Sequence, residues 1–203
     1  MASQGMDILN NIANQIASCT DCPLSQNRTN TVSGEGPDHS DLMFIGEAPG
    51  YHEDRRGQPF VGAAGRVLET MLNSAGLKRS DVFITNIVKC RPPNNRDPRP
   101  EEIASCRKYL SAQIDAVSPK VIVTLGRHAM SNFLPDATIS KSRGKPTTVN
   151  GLTVFPIYHP AAALHQPNLK EALEEDMNKL ANLLRHKSPT QSTPPQGEQL
   201  AMF

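Results

Sequence analysis

Leu42-Met43-Phe44-Ile45-Gly46-Glu47-Ala48-Pro49-Gly50-Tyr51-His52-Glu53-Asp54 is the stretch on which the reading of this chain turns. Four apolar residues without a polar break read as a strand buried on both faces, the habit of parallel sheets. Two glycines and a proline then suit a sharp turn out of the strand. Glu47, Glu53 and Asp54 put three carboxylates within eight residues of that turn. A buried strand ending in an acid-bearing turn sets reactive groups at the carboxyl edge of a parallel sheet, where such folds bind ligands.

Working outward, the same alternation recurs. Met6, Leu9, Ile12, Ala13 and Ile16 repeat at helical spacing and predict a helix over residues 5–17. Residues 23–40, rich in Ser, Thr, Asn, Gly and Pro, read as loop. A second glycine loop, Gly57 to Gly65, leads into a helix over 64–75 with Gly76 as its C′ residue. Further strands are expected at 82–88, 121–125 and 153–158. A helix starts at Pro100-Glu101-Glu102, with proline in its first turn and acids at its positive end, and runs to about Val117. A last helix covers 168–186. Strands alternating with helices give an α/β fold: a four-stranded parallel sheet between two helical layers. Glu47, Glu53, Asn86 and His159 then converge at one sheet edge.

The 203 residues suffice for one such domain, and the net charge of +1 favours no particular partner. Between Lys78 and Lys108, however, eight Lys or Arg face four Asp or Glu, which suits a phosphate-contacting face. Met1 to Asn10 has no apolar core of the signal-peptide kind, and no apolar run approaches the roughly 20 residues of a membrane span. The expected location is the cytoplasm, where four cysteines are poor disulfide candidates. Cys19-x-x-Cys22 with the widely spaced Cys90 and Cys106 suits a thiolate metal site. Spacing leaves zinc, an iron–sulfur cluster and separate buried thiols open.

Taken together, three motifs resemble those of the family 4 uracil-DNA glycosylases. Gly46-Glu47-Ala48-Pro49-Gly50 with Glu53-Asp54 and Gly57-Gln58-Pro59-Phe60-Val61-Gly62 resembles the first. Asn86 within Ile84-Thr85-Asn86-Ile87-Val88-Lys89-Cys90-Arg91-Pro92 resembles the second, and His159-Pro160-Ala161-Ala162-Ala163-Leu164 the third. The likeness spans roughly residues 15 to 184 in order. It implies a three-layer fold on a four-stranded parallel sheet, and cleavage of the N-glycosidic bond of deoxyuridine in DNA. It also implies a [4Fe–4S] cluster on Cys19, Cys22, Cys90 and Cys106.

Residue types agree with that chemistry. A base must leave the stack to be reached. Phe60 offers it a flat wall, and the Asn86 amide offers uracil an acceptor and a donor side by side. His159 and backbone N–H groups near Glu47 and Ala48 would stabilise the anion developing on uracil. Glu53 would handle the water or the cationic sugar. Gly50 stands where family 1 enzymes carry a thymine-excluding Tyr. Leu164 would wedge into the vacated stack, with Lys89 and Arg91 on phosphates. A related branch carries a His in a longer loop after the second motif that becomes linked to DNA. Lys89 to Pro100 has none, so free product release is expected. The competing reading, a non-catalytic iron–sulfur DNA-binding or redox-sensing module, has no need of the set Glu53, Phe60, Asn86 and His159.

The glycosylase domain is expected to occupy residues 1–187, as a monomer. Residues 188–203 read as a disordered tail, since Ser188 to Gly197 has no large apolar side chain. Gln199-Leu200-Ala201-Met202-Phe203 resembles the short peptides by which repair proteins bind the sliding clamp.

Overall fold

The computed structural model describes residues 2–166 and 168–187. The expected tail and clamp peptide lie outside them. In chain order, α1 (Ala2–Ser18) leads through a loop to β1 (Leu42–Gly46), α2 (Tyr51–Arg56) and α3 (Ala63–Ser74). Next come β2 (Phe83–Asn86), α4 (Pro100–Val117), β3 (Val121–Leu125) and α5 (Gly126–Ser131). The chain continues through α6 (Ile139–Ser142), β4 (Thr147–Val149), β5 (Leu152–Ile157), α7 (Ala162–His165) and α8 (Asn168–Lys187).

The sheet order is β2-β1-β3-β5-β4. The first four strands are parallel and every residue of β1, β2 and β3 is buried, as their unbroken apolar runs require. Side chains alternate between the two faces. Phe44 and Val123 pack with α3 and α8 residues such as Leu68 and Met177, while Met43, Ile45 and Ile122 pack with Ile12, Ile16 and Leu110 of α1 and α4. These are the three layers expected. Among the described residues no helix is long and apolar enough to cross a membrane.

Two differences from the sequence reading matter. The sheet has a fifth strand, β4, antiparallel to β5. Asn150 (φ 49°) and Gly151 (φ 81°) close that hairpin with two left-handed residues, the Asn-Gly turn whose twist matches the flanking strands. The acidic turn also coils into α2. Glu53 and Asp54 lie in its first turn, Arg55 and Arg56 in its last, and Gly57 (φ 71°) ends it with its N–H on the Glu53 carbonyl. Charges of that order oppose the helix dipole at both ends.

β1 pairs with β2 on one side and β3 on the other, so the connections leaving β1 and β2 diverge around its carboxyl end. A crevice forms at such a switch point.

Candidate active site and cysteine cavity

A cavity of about 500 Å³ opens at that crevice, bordered by the Glu47–Glu53 segment, Phe60, Asn86 and His159. Its floor is Gly46. A Cβ there would stand 2.4 Å from Asn86 Oδ1 and 2.6 Å from Phe60 Cζ, so only glycine lets these two side chains meet. Register supports the contact, because Gly46 and Asn86 are cross-strand partners.

Phe60 is buried and holds a left-handed backbone, φ 50°. That conformation is costly for an aromatic residue and persists only where neighbours impose it. Arg79 does so by donating to the carbonyls of Pro59 and Phe60. Gly65 of α3 does so by lacking a side chain, since a Cβ there would overlap the Phe60 carbonyl.

Asn86 is 1 % exposed, and among the described residues its Oδ1 finds no hydrogen-bond donor. Buried amide oxygens are seldom left so, because the lost hydration costs about 1–3 kcal/mol. His159 follows β5. The Ala161 N–H donates to its Nδ1 at 3.1 Å, so the neutral ring carries its proton on Nε2. Burial pushes its pKa down to about 4, against a weaker upward pull from Glu53. The ring lies 5.8 Å from that of Phe60. Gly126 (φ 86°) makes room, as a Cβ there would stand 2.9 Å from His159 Cβ.

The three carboxylates of the turn have parted. Glu53 Oε1 accepts from the N–H groups of Val61 and Gly62 at 2.9 and 2.8 Å, which ties α2 to the start of α3. Its Oε2 lies 2.8 Å from where a Gly50 Cβ would stand, so a larger residue at position 50 would displace it. Asp54 turns away, is buried, and accepts from Thr29 N at 2.8 Å, a structural anchor for the long loop. Glu47 is half-buried, and burial pushes its carboxyl up while His128 draws it down. His128 Nε2 is 3.9 Å from Glu47 Oε2 and 2.9 Å from Asp97 Oδ2, and Arg127 reaches the same nitrogen at 2.9 Å. The arginine makes this an ion-pair network. Ala48 and Gly50 line the cavity. Leu164, on α7, is 47 % exposed and stands outside its wall.

Part of the basic segment is spent inside the protein, while Lys78, Arg99 and Arg107 stay exposed. Arg96 pairs with buried Glu102, Lys108 with Asp21, and Arg79 serves the Phe60 loop. Lys89, expected on DNA, is 1 % exposed, and its Nζ is bonded to Thr85 Oγ1, the Asn86 carbonyl and Gln113 Oε1. It is turned inward because β2 delivers it between the sheet and α4, where three oxygens await it. Burial pushes its pKa down to about 7, and Cys106 draws it up. Arg91 does remain at the cavity mouth, stacked over exposed Tyr51 at 5.2 Å.

Cys19 and Cys22 after α1, Cys90 after β2 and Cys106 on α4 line one small cavity behind the site. Among the described residues no three of their sulfurs lie mutually within 4.8 Å. A single tetrahedral zinc would draw thiolates to about 3.8 Å, from Zn–S bonds of about 2.3 Å. The wider ring suits a multi-iron cluster. Donors already point at the sulfurs: Arg28 Nη1 reaches Cys90 Sγ at 3.2 Å, and the Lys89 backbone N–H faces Cys106. Burial otherwise pushes the Cys106 thiol up to about 11.

Sequence reasoning missed Arg28, Arg79, Gln113 and the Asp97–His128 pair, none of which belongs to a motif. The sequence marks Gly46 as a turn former, whereas its closeness to Phe60 and Asn86 is set by strand register and packing.

Residues 33–182 match the model of the uracil DNA glycosylase superfamily. The chain is similar to a Type-4 uracil-DNA glycosylase of Sulfurisphaera tokodaii, 50 % identical over 88 % of this chain and 86 % of that one. It is likewise similar to the Type-4 uracil-DNA glycosylase of Archaeoglobus fulgidus, at 47 % over 91 % and 98 %. For that of Thermotoga maritima the figures are 42 % over 88 % and 96 %.

Proposed function

The chain belongs to the uracil DNA glycosylase superfamily, and from that premise we infer that it hydrolyses the N-glycosidic bond of deoxyuridine in DNA, releasing uracil and leaving an abasic site. The observation that carries this reading is the buried, unpartnered Oδ1 of Asn86 beside the Phe60 ring. A flipped uracil supplies what is missing: its N3–H satisfies Oδ1, and its O4 accepts from the same amide. Phe60 stacks on the base. Gly50 and Ala48 shape the pocket, with the Ala48 N–H as a second donor to the base.

Bond cleavage leaves negative charge on uracil and cationic character on the sugar. His159 donates from Nε2 to uracil O2 as that charge grows. A neutral imidazole suits this task, since Nδ1 is already engaged by Ala161. The free oxygen of Glu53 takes the water or faces the cationic sugar, while its other oxygen stays fixed by two backbone N–H groups. Glu47 supports the turn, and Leu164 fills the vacated stack from the rim.

Cys19, Cys22, Cys90 and Cys106 would hold a [4Fe–4S] cluster, which supplies no step of the hydrolysis and fastens α1 and α4 to the end of β2. We place the catalytic domain at residues 1–187, as a cytoplasmic monomer. Residues 188–203 form a tether whose Gln199–Phe203 peptide binds the sliding clamp. Deleting residues 199–203 should abolish clamp binding and spare activity on a short oligonucleotide; clamp binding that survives the deletion removes this role.

The test of the main reading is incubation with a single-stranded oligonucleotide carrying one uracil, then alkali. Scission at the uracil is expected. An intact strand after treatment with iron-loaded protein rejects the glycosylase reading.

A further inference from the structure

Lys89 sits between the two cavities, and hydrolysis as derived above makes no use of it. Lys89 borders the cysteine cavity, its backbone N–H faces Cys106, and its neighbour is Cys90. Its ammonium runs the other way, to the end of β2. It meets Thr85 Oγ1 at 2.7 Å, the Asn86 carbonyl at 2.7 Å and Gln113 Oε1 at 2.6 Å. The Thr85 hydroxyl spends its one proton on the Ser33 carbonyl at 2.9 Å, so it can only accept from Lys89. The Gln113 amide is oriented in the same way, its Nε2 donating to Ser33 O at 2.6 Å. When Lys89 carries its proton, its three N–H bonds match these three acceptors.

This cation is buried, and among the described residues no carboxylate pairs with it. A buried charge needs an opposite charge close by. The negative groups to hand are the cysteine sulfurs, and a cluster bound by four thiolates would carry net negative charge there.

We propose that Lys89 is a positioning residue that makes uracil reading by Asn86 depend on a loaded cysteine cavity. The ammonium is balanced by the thiolate-held cluster on one side, and on the other it fixes the Asn86 carbonyl, and with it the direction of the amide. This rests on the glycosylase reading above. It gives the cluster a part in substrate recognition through the charge of a side chain, with no electron transferred.

The experiment uses the iron-loaded full chain and its Lys89→Met variant, which keeps the length and backbone N–H and removes the cation. Two quantities are read: the preference for a uracil-containing over a thymine-containing single strand, measured by stopped-flow binding before turnover, and the reduction potential of the cluster. The variant should retain wild-type iron while its uracil preference falls on the order of tenfold, the scale of a lost charged hydrogen bond. The potential should move to more negative values, because a nearby cation favours the added electron. A purely structural lysine would leave the potential unchanged. Full iron with wild-type uracil preference overturns the proposal.

If Lys89→Met does not accumulate folded, Gln113→Met decides. It keeps the cation and removes one acceptor, so uracil preference should fall roughly threefold with the potential unmoved. Wild-type preference in that variant also overturns the proposal. Wild type that releases no uracil strikes the glycosylase reading itself, whereas active wild type with an indifferent Lys89→Met strikes only Lys89.

Discussion

Asn86 and Cys90 are four residues apart and serve opposite kinds of site. The pocket around Asn86 holds hydrogen-bonding capacity open: among the described residues Asn86 Oδ1 is unpartnered, and the bonds made by His159 and Glu53 lie at Nδ1 and Oε1, away from Nε2 and Oε2. Around Cys90 the polar groups are engaged, with Arg28 on its sulfur and the Lys89 ammonium on three oxygens. An open site costs stability and gains recognition, because its groups are satisfied only by substrate. A filled site gains stability and needs no substrate. Substitutions should therefore separate into two classes: those that lose activity while the fold stands, and those that lose the fold.

The largest effect is expected on the cysteine side. Cys90→Ser or Cys106→Ser should lose most bound iron and lower the melting temperature sharply, since ligand binding and folding are one process at such sites. Iron analysis and calorimetry check this. A colourless variant that melts with wild type would erase the distinction.

Next come the pocket variants. His159→Ala should slow uracil release by about 10²–10³-fold, the usual loss for one donor to a developing anion. Asn86→Ala should lose activity on a similar scale yet melt no lower than wild type, because it removes a buried acceptor that has no partner. Marked destabilisation of Asn86→Ala would show that its amide is a structural bond.

The pH dependence of stability is a smaller effect. Folding lowers the His159 pKa to about 4, so between its unfolded value near 6.5 and 4 the unfolded chain holds more protons. This contribution is complete above about pH 6.5 and is lost as pH falls toward 4. His159→Gln should lose less stability than wild type between pH 7 and 4.5 in urea titrations. Parallel profiles would contradict the assigned burial.

The smallest concerns the pocket wall. Arg79→Ala frees the carbonyls of Pro59 and Phe60 and relaxes a left-handed Phe60. It should raise KM several-fold with kcat little changed, measured by steady-state kinetics on a uracil oligonucleotide.

The legible part of the molecule was the part written locally. Leu42 to Ile45 is buried along its whole length, and Gly46, Asn86 and His159 stand at strand ends because alternating elements put them there. Asn150-Gly151 is equally local, a hairpin signal, but the strand beside it is short and mostly exposed and so lacks the apolar run that marks the others. The misread residues depend on long-range partners. Lys89 looks like a phosphate contact until Gln113, 24 positions on, is seen to accept its hydrogen bond. Asp54 and Glu53 are neighbours of like chemistry, and only the packing of Thr29 against one and Gly62 against the other tells anchor from site. Charge type is written in the sequence, but the acceptor that claims each charge is not.

The most direct measurement sets uracil, cytosine and thymine side by side in one single-stranded sequence and follows base release by wild type and Asn86→Ala under identical conditions. Wild type should release uracil and leave the other two in place, and Asn86→Ala should lose uracil release while remaining folded. Equal release of all three bases, or uracil release undiminished in Asn86→Ala, would contradict the assignment of the empty Asn86 oxygen as the uracil reader.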